Sequence, residues 1–363
     1  MAFLPLLLAA GCIFITDDEY QARIATTLSG EVRTAEALLV PDEAALSLIP
    51  AAIGAENLYT DALEPSLTAP VSGLGAGQRV DFEISVPSTV EADQLIEIDP
   101  QGAPGMMGVV YGLGLWVDED EDGVATTADS YYGVSGSRLL AWIEAPDPSW
   151  ADMGATAGYN FLTYDMARNR VLGVTPVAST WLSWNLDANL AQVQQAALTA
   201  EVERVPTLAR RPRLDLYAYQ GFQGADDPTL TSVSLEETTD PQTVTLELPS
   251  PPFPDSHFSD ELDGEDLSAL GVRLALYYGV AYDDGDDDGT WDRTGGISEI
   301  PFSTSADEDG GRAALYITPT SFAAAEVVDV FGSMGWQLLE YGGSGDQTLD
   351  WDEGLLLEAV LGR

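Results

Sequence analysis

Two short acidic segments hold the residues of this chain best suited to chemistry. The first reads Asp118-Glu119-Asp120-Glu121-Asp122-Gly123 and the second reads Asp284-Gly285-Asp286-Asp287-Asp288-Gly289. In each segment, carboxylates stand at positions one, three and five, and a glycine follows at position six. A turn with this spacing gathers hard oxygen ligands around Ca²⁺, and the glycine permits the sharp bend. The two segments therefore predict two calcium sites.

The ligands of the first loop follow from its spacing. Position seven of such a loop offers a backbone carbonyl, and position twelve normally carries the carboxylate that closes the site. Because the preceding segment is strand-like, we expect this loop without a flanking pair of helices. The loop resembles the aspartate-rich EF-hand loops of bacterial dockerins and related extracellular repeats. The predicted ligands are Asp118, Asp120, Asp122, Val124, Thr126 and Asp129.

The second loop offers a similar but less complete set. Its position twelve is Gly295, which has no side chain that could bind a metal. Either Asp292 binds the ion directly, or Glu299 folds back to complete the shell, so this site is open to being weaker or more hydrated. The predicted ligands are Asp284, Asp286, Asp288, the carbonyl of Thr290, and Asp292.

Clustered carboxylates repel one another when no cation is present. A bound calcium ion relieves that repulsion and ties two strand ends together, so its binding energy stabilises the fold. Extracellular modules commonly bind calcium at about 10⁻⁴ to 10⁻³ M. We therefore expect structural clamps that are saturated outside the cell rather than sensors. The alternative is a pair of solvated acidic hairpin tips.

Composition limits the classes of partner. The chain has 363 residues, 45% of them hydrophobic, and a formal charge of −46 from 60 acidic and 14 basic residues, all of the latter arginine. Such a surface repels nucleic acid and anionic lipid headgroups and attracts divalent cations. A nucleic-acid-binding role is therefore disfavoured. Adaptation to a saline habitat would produce the same acidity.

The start of the sequence has the pattern of a processing segment. A short apolar run, too short to span a bilayer, ends in small residues before Cys12, the only cysteine. Leu8-Ala9-Ala10-Gly11-Cys12 resembles the lipobox of bacterial lipoproteins. That resemblance implies a signal peptide over residues 1–11, lipidation of Cys12, and a tether over residues 12–20. It also implies a location in the bacterial cell envelope, anchored at the outer membrane or cell surface; an ordinary secretory signal is the alternative.

Beyond the leader, short apolar segments alternate with turn residues. Arg79 to Pro87 alternates apolar and polar residues as a half-buried strand does, while Val109–Val117 and Val272–Tyr282 are apolar on both faces and run into the acidic loops. The order of segments around the first loop recurs around the second, which indicates an internal duplication. The predicted fold is mainly β: two tandem β-sandwich domains, Ig-like or transthyretin-like, over residues 21–200 and 201–363. One large sandwich is the alternative.

Helical signals are sparse. Leu190, Val193, Ala197 and Leu198 would share one face of a helix opened by Asp187, and the alanine-rich segment from 322 to 330 is a second candidate. We therefore expect few and short helices.

Catalytic groups are few. His257 is the only histidine and Cys12 the only cysteine, and no nucleophile-elbow pattern surrounds any serine. A pair of carboxylates could hydrolyse a glycosidic bond without histidine, but the sequence does not locate one. A third acidic cluster near the C-terminus is better explained as a solvated turn than as a metal site; it consists of Asp346, Asp350, Asp352 and Glu353.

Aromatic residues concentrate in the first half and allow two interpretations. They fill a sandwich core, which we favour, or they form a face that stacks against sugars. They are Trp116, Tyr131, Tyr132, Trp142, Trp150, Trp181 and Trp184.

These observations lead to one functional prediction. We expect a calcium-stabilised, lipid-anchored cell-surface protein without enzymatic activity, with a structural, adhesive or ligand-presenting role and a surface protein or glycan as partner. The alternative is a carbohydrate-binding module or a carboxylate-dependent glycosidase.

Overall fold

Strands dominate the computed structural model, which confirms the predicted mainly-β fold class. Within the described residues, no helix is long and apolar enough to cross a membrane. The structure describes residues 27–34, 40–53, 66–71, 74–75, 77–86, 90, 92, 94–100, 102–165, 168, 170–177, 184–207, 209–219, 228–238, 240–251, 253–259, 261–262, 265–289, 291, 299, 301–307, 310–325, 327–328, 332–342 and 347–359. The predicted leader and tether, including Cys12, lie outside these residues.

Within the described residues, the first half of the chain forms twelve strands. They are β1 Thr27–Arg33, β2 Ala45–Pro50, β3 Ser66–Pro70, β4 Arg79–Ser85, β5 Ile96–Glu97, β6 Met107–Val117, β7 Ser130–Val134, β8 Arg138–Ile143, β9 Gly158–Asp165, β10 Arg170–Pro176, β11 Leu186–Asp187 and β12 Gln192–Val193. In the part of the second half that the structure describes, there are thirteen strands. They are β13 Ala197–Val202, β14 Pro212–Ala218, β15 Thr229–Ser234, β16 Gln242–Glu247, β17 Glu261–Leu262, β18 Glu265–Asp266, β19 Val272–Asp283, β20 Pro301–Thr304, β21 Ala306–Asp307, β22 Gly310–Pro319, β23 Met334–Gly342, β24 Gln347–Leu349 and β25 Leu355–Ala359.

Helical structure is short, as predicted. The helix α1 spans Pro148–Asp152. It is capped at its N-terminus by Asp147, whose carboxylate accepts a hydrogen bond from the amide of Ser149. The structure also contains 3₁₀ turns; they span Asp255–His257, Ser268–Leu270, Phe322–Ala324 and Trp351–Glu353. The turn at Phe322–Ala324 continues into helical residues at 325, 327 and 328, within the segment predicted as helix.

The prediction of a helix beginning at Asp187 was wrong. That segment forms three short strands, β11 to β13, separated by turns. β11 pairs with β1 and β13 with β16, and β13 alternates buried and part-exposed residues as a strand does. Two of the residues expected on one helical face, Leu190 and Leu198, instead pack in different apolar clusters.

In the first half, two sheets pack as a sandwich. A three-stranded sheet has the order β11-β1-β4, and a larger sheet has the order β10-β9-β8-β6-β2-β3, with β7 paired to β6. Their facing residues are apolar and buried; they include Leu28, Val32, Phe82 and Ile84 from the small sheet and Leu46, Leu113, Leu115 and Phe161 from the large one. Burial of this apolar surface is the main force that holds the two sheets together.

The second half repeats the pairing with one addition: β20 also pairs with β25, so its strands join in a single large sheet. β13 pairs with β16 and β25 as β1 pairs with β4 and β11, and β19 pairs with β14, β20 and β22 as β6 pairs with β2, β7 and β8. The edge strands β15 and β24 extend the large sheet as β3 and β10 do. Residue Ala200, near which the sequence placed the junction, lies inside β13, a strand of the second set.

The two halves share a third apolar cluster. It joins residues of the first half, among them Ile49, Tyr131 and Leu190, to residues of the second, among them Ile317, Phe322 and Met334. β12 also pairs in parallel with β23 across the junction. The halves are therefore packed against each other rather than linked by the chain alone.

Candidate metal centres

The first acidic loop connects β6 to β7 and is wound tightly around the carboxylate of Asp118. That carboxylate accepts hydrogen bonds from the amides of Asp122, at 3.2 Å, and Gly123, at 2.8 Å. Glu121 and Gly123 adopt left-handed backbone angles, with φ of 60° and 77°. Only a turn that changes direction within a few residues requires such angles, and glycine adopts them without strain.

Three carboxylates converge in this loop. One oxygen each from Asp118, Asp120 and Asp129 lies within 4.8 Å of the others. Asp129 is buried, and its two oxygens accept hydrogen bonds from the amides of Glu119, at 3.1 Å, and Thr126, at 2.6 Å. These bonds hold the residue at position twelve against the start of the loop.

The second acidic loop, which follows β19, repeats this geometry. Asp284 is buried and accepts hydrogen bonds from the amides of Asp287, at 2.7 Å, and Gly289, at 3.1 Å. Asp287 and Gly289 have φ of 67° and 81°. Positions four and six therefore carry the left-handed angles in both loops, although the two sequences differ at position four.

Glu299 closes the second group. Its carboxylate is buried, accepts a hydrogen bond from the amide of Gly285 at 2.6 Å, and lies with Asp284 and Asp286 in a group whose oxygens are within 4.8 Å. The bond from Gly285 is the counterpart of the bond from Glu119 to Asp129. Of the two options that the sequence left open, the structure thus places Glu299 at the site; Asp292 lies outside the described residues.

The remaining predicted ligands differ in their positions. Asp122 and Asp288 are exposed and belong to neither triad. Asp122 instead accepts a hydrogen bond from the amide of Val124 at 2.7 Å, and the hydroxyl of Thr126 donates to Asp129 at 3.3 Å. Thr290 lies outside the described residues.

The donor set fits a hard cation. Both triads consist of carboxylate oxygens alone, which is the chemistry that Ca²⁺ prefers. Two oxygens bound to one calcium at about 2.3 to 2.6 Å stand no more than about 5 Å apart. The convergence within 4.8 Å meets that limit, so the two triads could hold metal ions.

The charges of the first loop act on one another. The pKa of Asp120 is raised, first by partial desolvation and then by the negative charges of three neighbouring aspartates, against one backbone hydrogen bond that lowers it. A bound cation would reverse this effect by favouring the ionised form of each carboxylate.

A buried polar group lies beneath the second loop, and the sequence analysis missed it. Asp215 in β14 is completely buried, and its Oδ2 accepts hydrogen bonds from the hydroxyls of Tyr217, at 2.9 Å, and Tyr282, at 3.0 Å. Arg213 Nε lies 3.9 Å from its Oδ1. Burial raises the pKa of Asp215 to about 6, against the hydrogen bonds of the tyrosines and the charge of Arg213. The sequence signal was a single aspartate within the apolar run of β14.

Most of the aromatic residues considered for sugar binding are in the core. Trp116, Tyr131, Trp150 and Trp184 are each no more than 4% exposed, while Tyr132 and Trp142 are partly buried. Trp181 lies outside the described residues. The buried rings have no free face on which a sugar could stack.

Two other sequence features have structural roles. His257 is 5% exposed, with its Nδ1 3.2 Å from the hydroxyl of Tyr277. In the third acidic cluster, Glu353 pairs with Arg312 at 3.6 Å, and Arg312 also donates to the carbonyls of Glu353 and Gly354. Among the described residues, Asp350 and Asp352 join no metal-binding group.

Comparison with known proteins identifies no family. No family model matches the chain, and no curated protein matches it. Among solved structures, a candidate adhesin from Bacteroides ovatus aligns over 82% of this chain and 88% of its own, with 10% identity and a TM-score of 0.23. A leucine-rich repeat protein from Bacteroides thetaiotaomicron aligns over 77% of this chain and 24% of its own, with 9% identity and a TM-score of 0.13. Scores this low carry no argument about function.

Proposed function

We propose that this chain is a calcium-stabilised cell-surface protein, anchored by lipid at Cys12, whose tandem β-sandwich domains serve a structural, adhesive or ligand-presenting role. In this proposal residues 1–11 are a signal peptide, residues 12–20 a tether, and the two domains extend over 21–200 and 201–363. The strand pairing suggests moving the junction slightly, to just before β13.

One observation carries the proposal. Both acidic loops leave equivalent strands, adopt the same left-handed angles at positions four and six, and bring three carboxylates together. Accidental acidic tips in an acidic chain would have no reason to share hydrogen bonds from corresponding backbone amides. A bound calcium ion would compensate the repulsion within each triad and join the end of a long central strand to the segment that follows.

Thermal unfolding in the presence and absence of calcium tests the metal sites. Chelation should lower the melting temperature, and 10 mM Ca²⁺ should restore it, since a site with Kd of about 10⁻⁴ M then contributes about 2.7 kcal/mol. The double variant Asp118→Asn with Asp284→Asn should lose this response. Asp350→Asn, which removes an exposed carboxylate outside both triads, is the matched control. An unchanged melting temperature on chelation of the unmodified protein would refute the calcium sites.

The lipid anchor requires a separate test. Cells expressing the full chain should incorporate a labelled fatty acid into the protein, and Cys12→Ser should abolish the label because the chain has no other cysteine. Protease treatment of intact cells would then report whether the anchored protein faces outward. Equal labelling of the Cys12→Ser protein would refute the anchor without bearing on calcium.

A further inference from the structure

We infer that the two calcium loops are unequal: the second carries its own positive counter-charge, so it holds its conformation without a cation and binds calcium more weakly than the first. This inference rests on the calcium sites of the proposed function and assigns each loop a different dependence on the ion. Its evidence is a difference between two otherwise equivalent strand ends.

Two arginine side chains lie close to the second loop. Arg211 Nη2 lies 3.4 Å from Asp287 Oδ2, and the guanidinium of Arg213 lies 3.6 to 3.7 Å from the point where a side chain at Gly289 would begin. The amides of Arg210 and Arg211 both donate to Asp283 Oδ1 at 2.8 Å. The segment that leads into β14 therefore contacts the loop at its start and at its tip.

The corresponding segment beside the first loop is acidic. The register pairs Ala45 with Trp116 and Arg213 with Tyr282, and both partners stand two residues before the first aspartate of their loop. Counting back in sequence from each pair, Arg211 corresponds to Glu43 and Arg210 to Asp42. Both of these carboxylates are exposed. At these matching sequence positions, the segment before β2 is acidic and the segment before β14 is basic.

The negative charge near the first loop also affects the pKa of a neighbouring side chain, Tyr132. The pKa of Tyr132 is raised, chiefly by burial and further by the negative charges of Glu119 and Glu43. Glu119 belongs to the first loop and Glu43 to the segment before β2, so both carboxylates lie near one side chain. These two carboxylates add to the negative charge that a cation at this loop would neutralise.

The supports beneath the loops also differ. Below the first loop, Trp116 Nε1 donates to Ser47 at 3.0 Å, a bond between neutral groups. The matching pair below the second loop is Tyr282 and Asp215; the carboxylate of Asp215 adds a negative charge, and Arg213 Nε lies 3.9 Å from its Oδ1.

In the second half, a series of hydrogen bonds connects Asp215 to Glu299, the closing residue of the second triad. Tyr217, which donates to Asp215, accepts a hydrogen bond from the amide of Trp291 at 2.9 Å, and Trp291 Nε1 donates to the carbonyl of Glu299 at 3.0 Å. The closing residue of the second triad is therefore held by Trp291 as well as by the amide of Gly285. In the first loop, the closing residue Asp129 is held by amides of the loop itself.

Fixed positive charge near a carboxylate cluster does two things. It reduces the repulsion that unfolds the empty loop, and it repels an incoming divalent cation. Because the arginines are partly exposed and screened by salt, we expect each to change affinity by about three- to ten-fold rather than by orders of magnitude.

Calorimetric titration with calcium alone, on proteins that each retain one loop, tests the order of affinity. Asp118→Asn with Asp120→Asn leaves the second loop, and Asp284→Asn with Asp286→Asn leaves the first. The first loop should bind more tightly. In the protein that retains the second loop, Arg211→Glu should tighten binding by about three- to ten-fold.

The reciprocal change and a control complete the titration. In the protein that retains the first loop, Glu43→Arg should weaken binding by a similar factor. Arg79→Gln, an exposed arginine in β4, should change neither affinity. Equal affinities, a tighter second loop, or no response to Arg211→Glu would overturn the inference. Absence of calcium binding at both loops would instead refute the proposed function.

Hydrogen exchange in excess chelator provides a test that does not depend on binding. Amides 285–289 should remain protected while amides 119–124 exchange quickly, and Arg211→Glu should remove the protection of the second loop alone. Equal exchange in the two loops of the unmodified protein would overturn the inference even if calcium binds.

Discussion

The ring of Tyr131 meets the ring of Phe322 edge to face, with centroids 4.6 Å apart and planes at 85°. Tyr131 follows the first acidic loop by two residues, and its hydroxyl donates to the carbonyl of Thr126, inside the loop, at 2.5 Å. Phe322 belongs to the second half and is completely buried. One aromatic pair therefore connects the first candidate metal centre to the packing between the two halves.

Removing the ring of Phe322 should weaken this junction. Phe322→Ala leaves a cavity beside Tyr131 and Ile49 in the shared apolar cluster and should reduce the free energy of unfolding by about 3 to 5 kcal/mol. Calorimetric scanning should show a lower melting temperature, with the transition broadened or split if the halves separate. Leu172→Ala, at a side chain 51% exposed, should change stability by no more than about 0.5 kcal/mol. Equal effects of the two substitutions would contradict the role of the junction.

The closing residue of the second loop gives a sharper prediction. Because the carboxylate of Glu299 lies within 4.8 Å of those of Asp284 and Asp286, Glu299→Gln should weaken calcium binding at this loop, as Asp129→Asn should at the first. The loss should be at least about ten-fold, the usual effect of removing a charged ligand or its close support. Calcium titration of single-loop proteins measures it. Asp292→Asn is the comparison: if it costs more affinity than Glu299→Gln, the closing residue has been misassigned.

Local patterns were enough to predict the strands that carry the loops. β6 and β19 match their predicted segments within two residues, since apolar runs are a property of neighbouring residues. The loop spacing likewise predicted Asp118, Asp120 and Asp129, which the structure brings together. These features depend on short stretches of chain, so the sequence contains them directly.

Features that depend on long-range pairing could not be predicted in the same way. The sequence offered Glu299 only as one of two options, because it follows Asp284 by more residues than the usual loop allows; the path of the chain brings it to Asp284 and Asp286. Asp215 reaches the second loop through the pairing of β14 with β19. The misread helix after Asp187 had an apolar spacing that three separate strands create together. In each case the deciding contact joins residues far apart in sequence.

His257 should titrate below its usual range. Burial lowers the pKa of this imidazole from 6.5, so the unfolded chain binds a proton at a higher pH than the folded protein does. Stability contributed by the neutral ring is therefore present above pH 6.5 and is lost as pH falls from 6.5 toward the folded pKa. Because the chain has one histidine, a single imidazole resonance reports the titration by NMR. A midpoint at or above 6.5 would contradict the buried position.

Asp215 should produce the opposite dependence on pH. Its folded pKa is raised from 3.8 to about 6, so between these values the folded protein holds a proton that the unfolded chain has lost. The free energy of unfolding should therefore decrease as pH rises from 3.8 through 6, by a total on the order of 3 kcal/mol. The Asp215→Asn side chain cannot ionise, so the free energy of unfolding of this variant should not show this decrease.

The difference between the melting curves of Asp215→Asn and the unmodified protein isolates this effect, because the other carboxylates titrate in both. With calcium held constant, the melting temperature of the variant relative to the unmodified protein should rise between pH 4 and pH 7. Any loss of packing or of the contacts to Tyr217 and Tyr282 shifts the variant by a constant amount, so the slope alone carries the prediction. Asp240→Asn, an exposed control, should run parallel to the unmodified protein. A parallel curve for Asp215→Asn as well would show that the buried carboxyl does not change its protonation in this range.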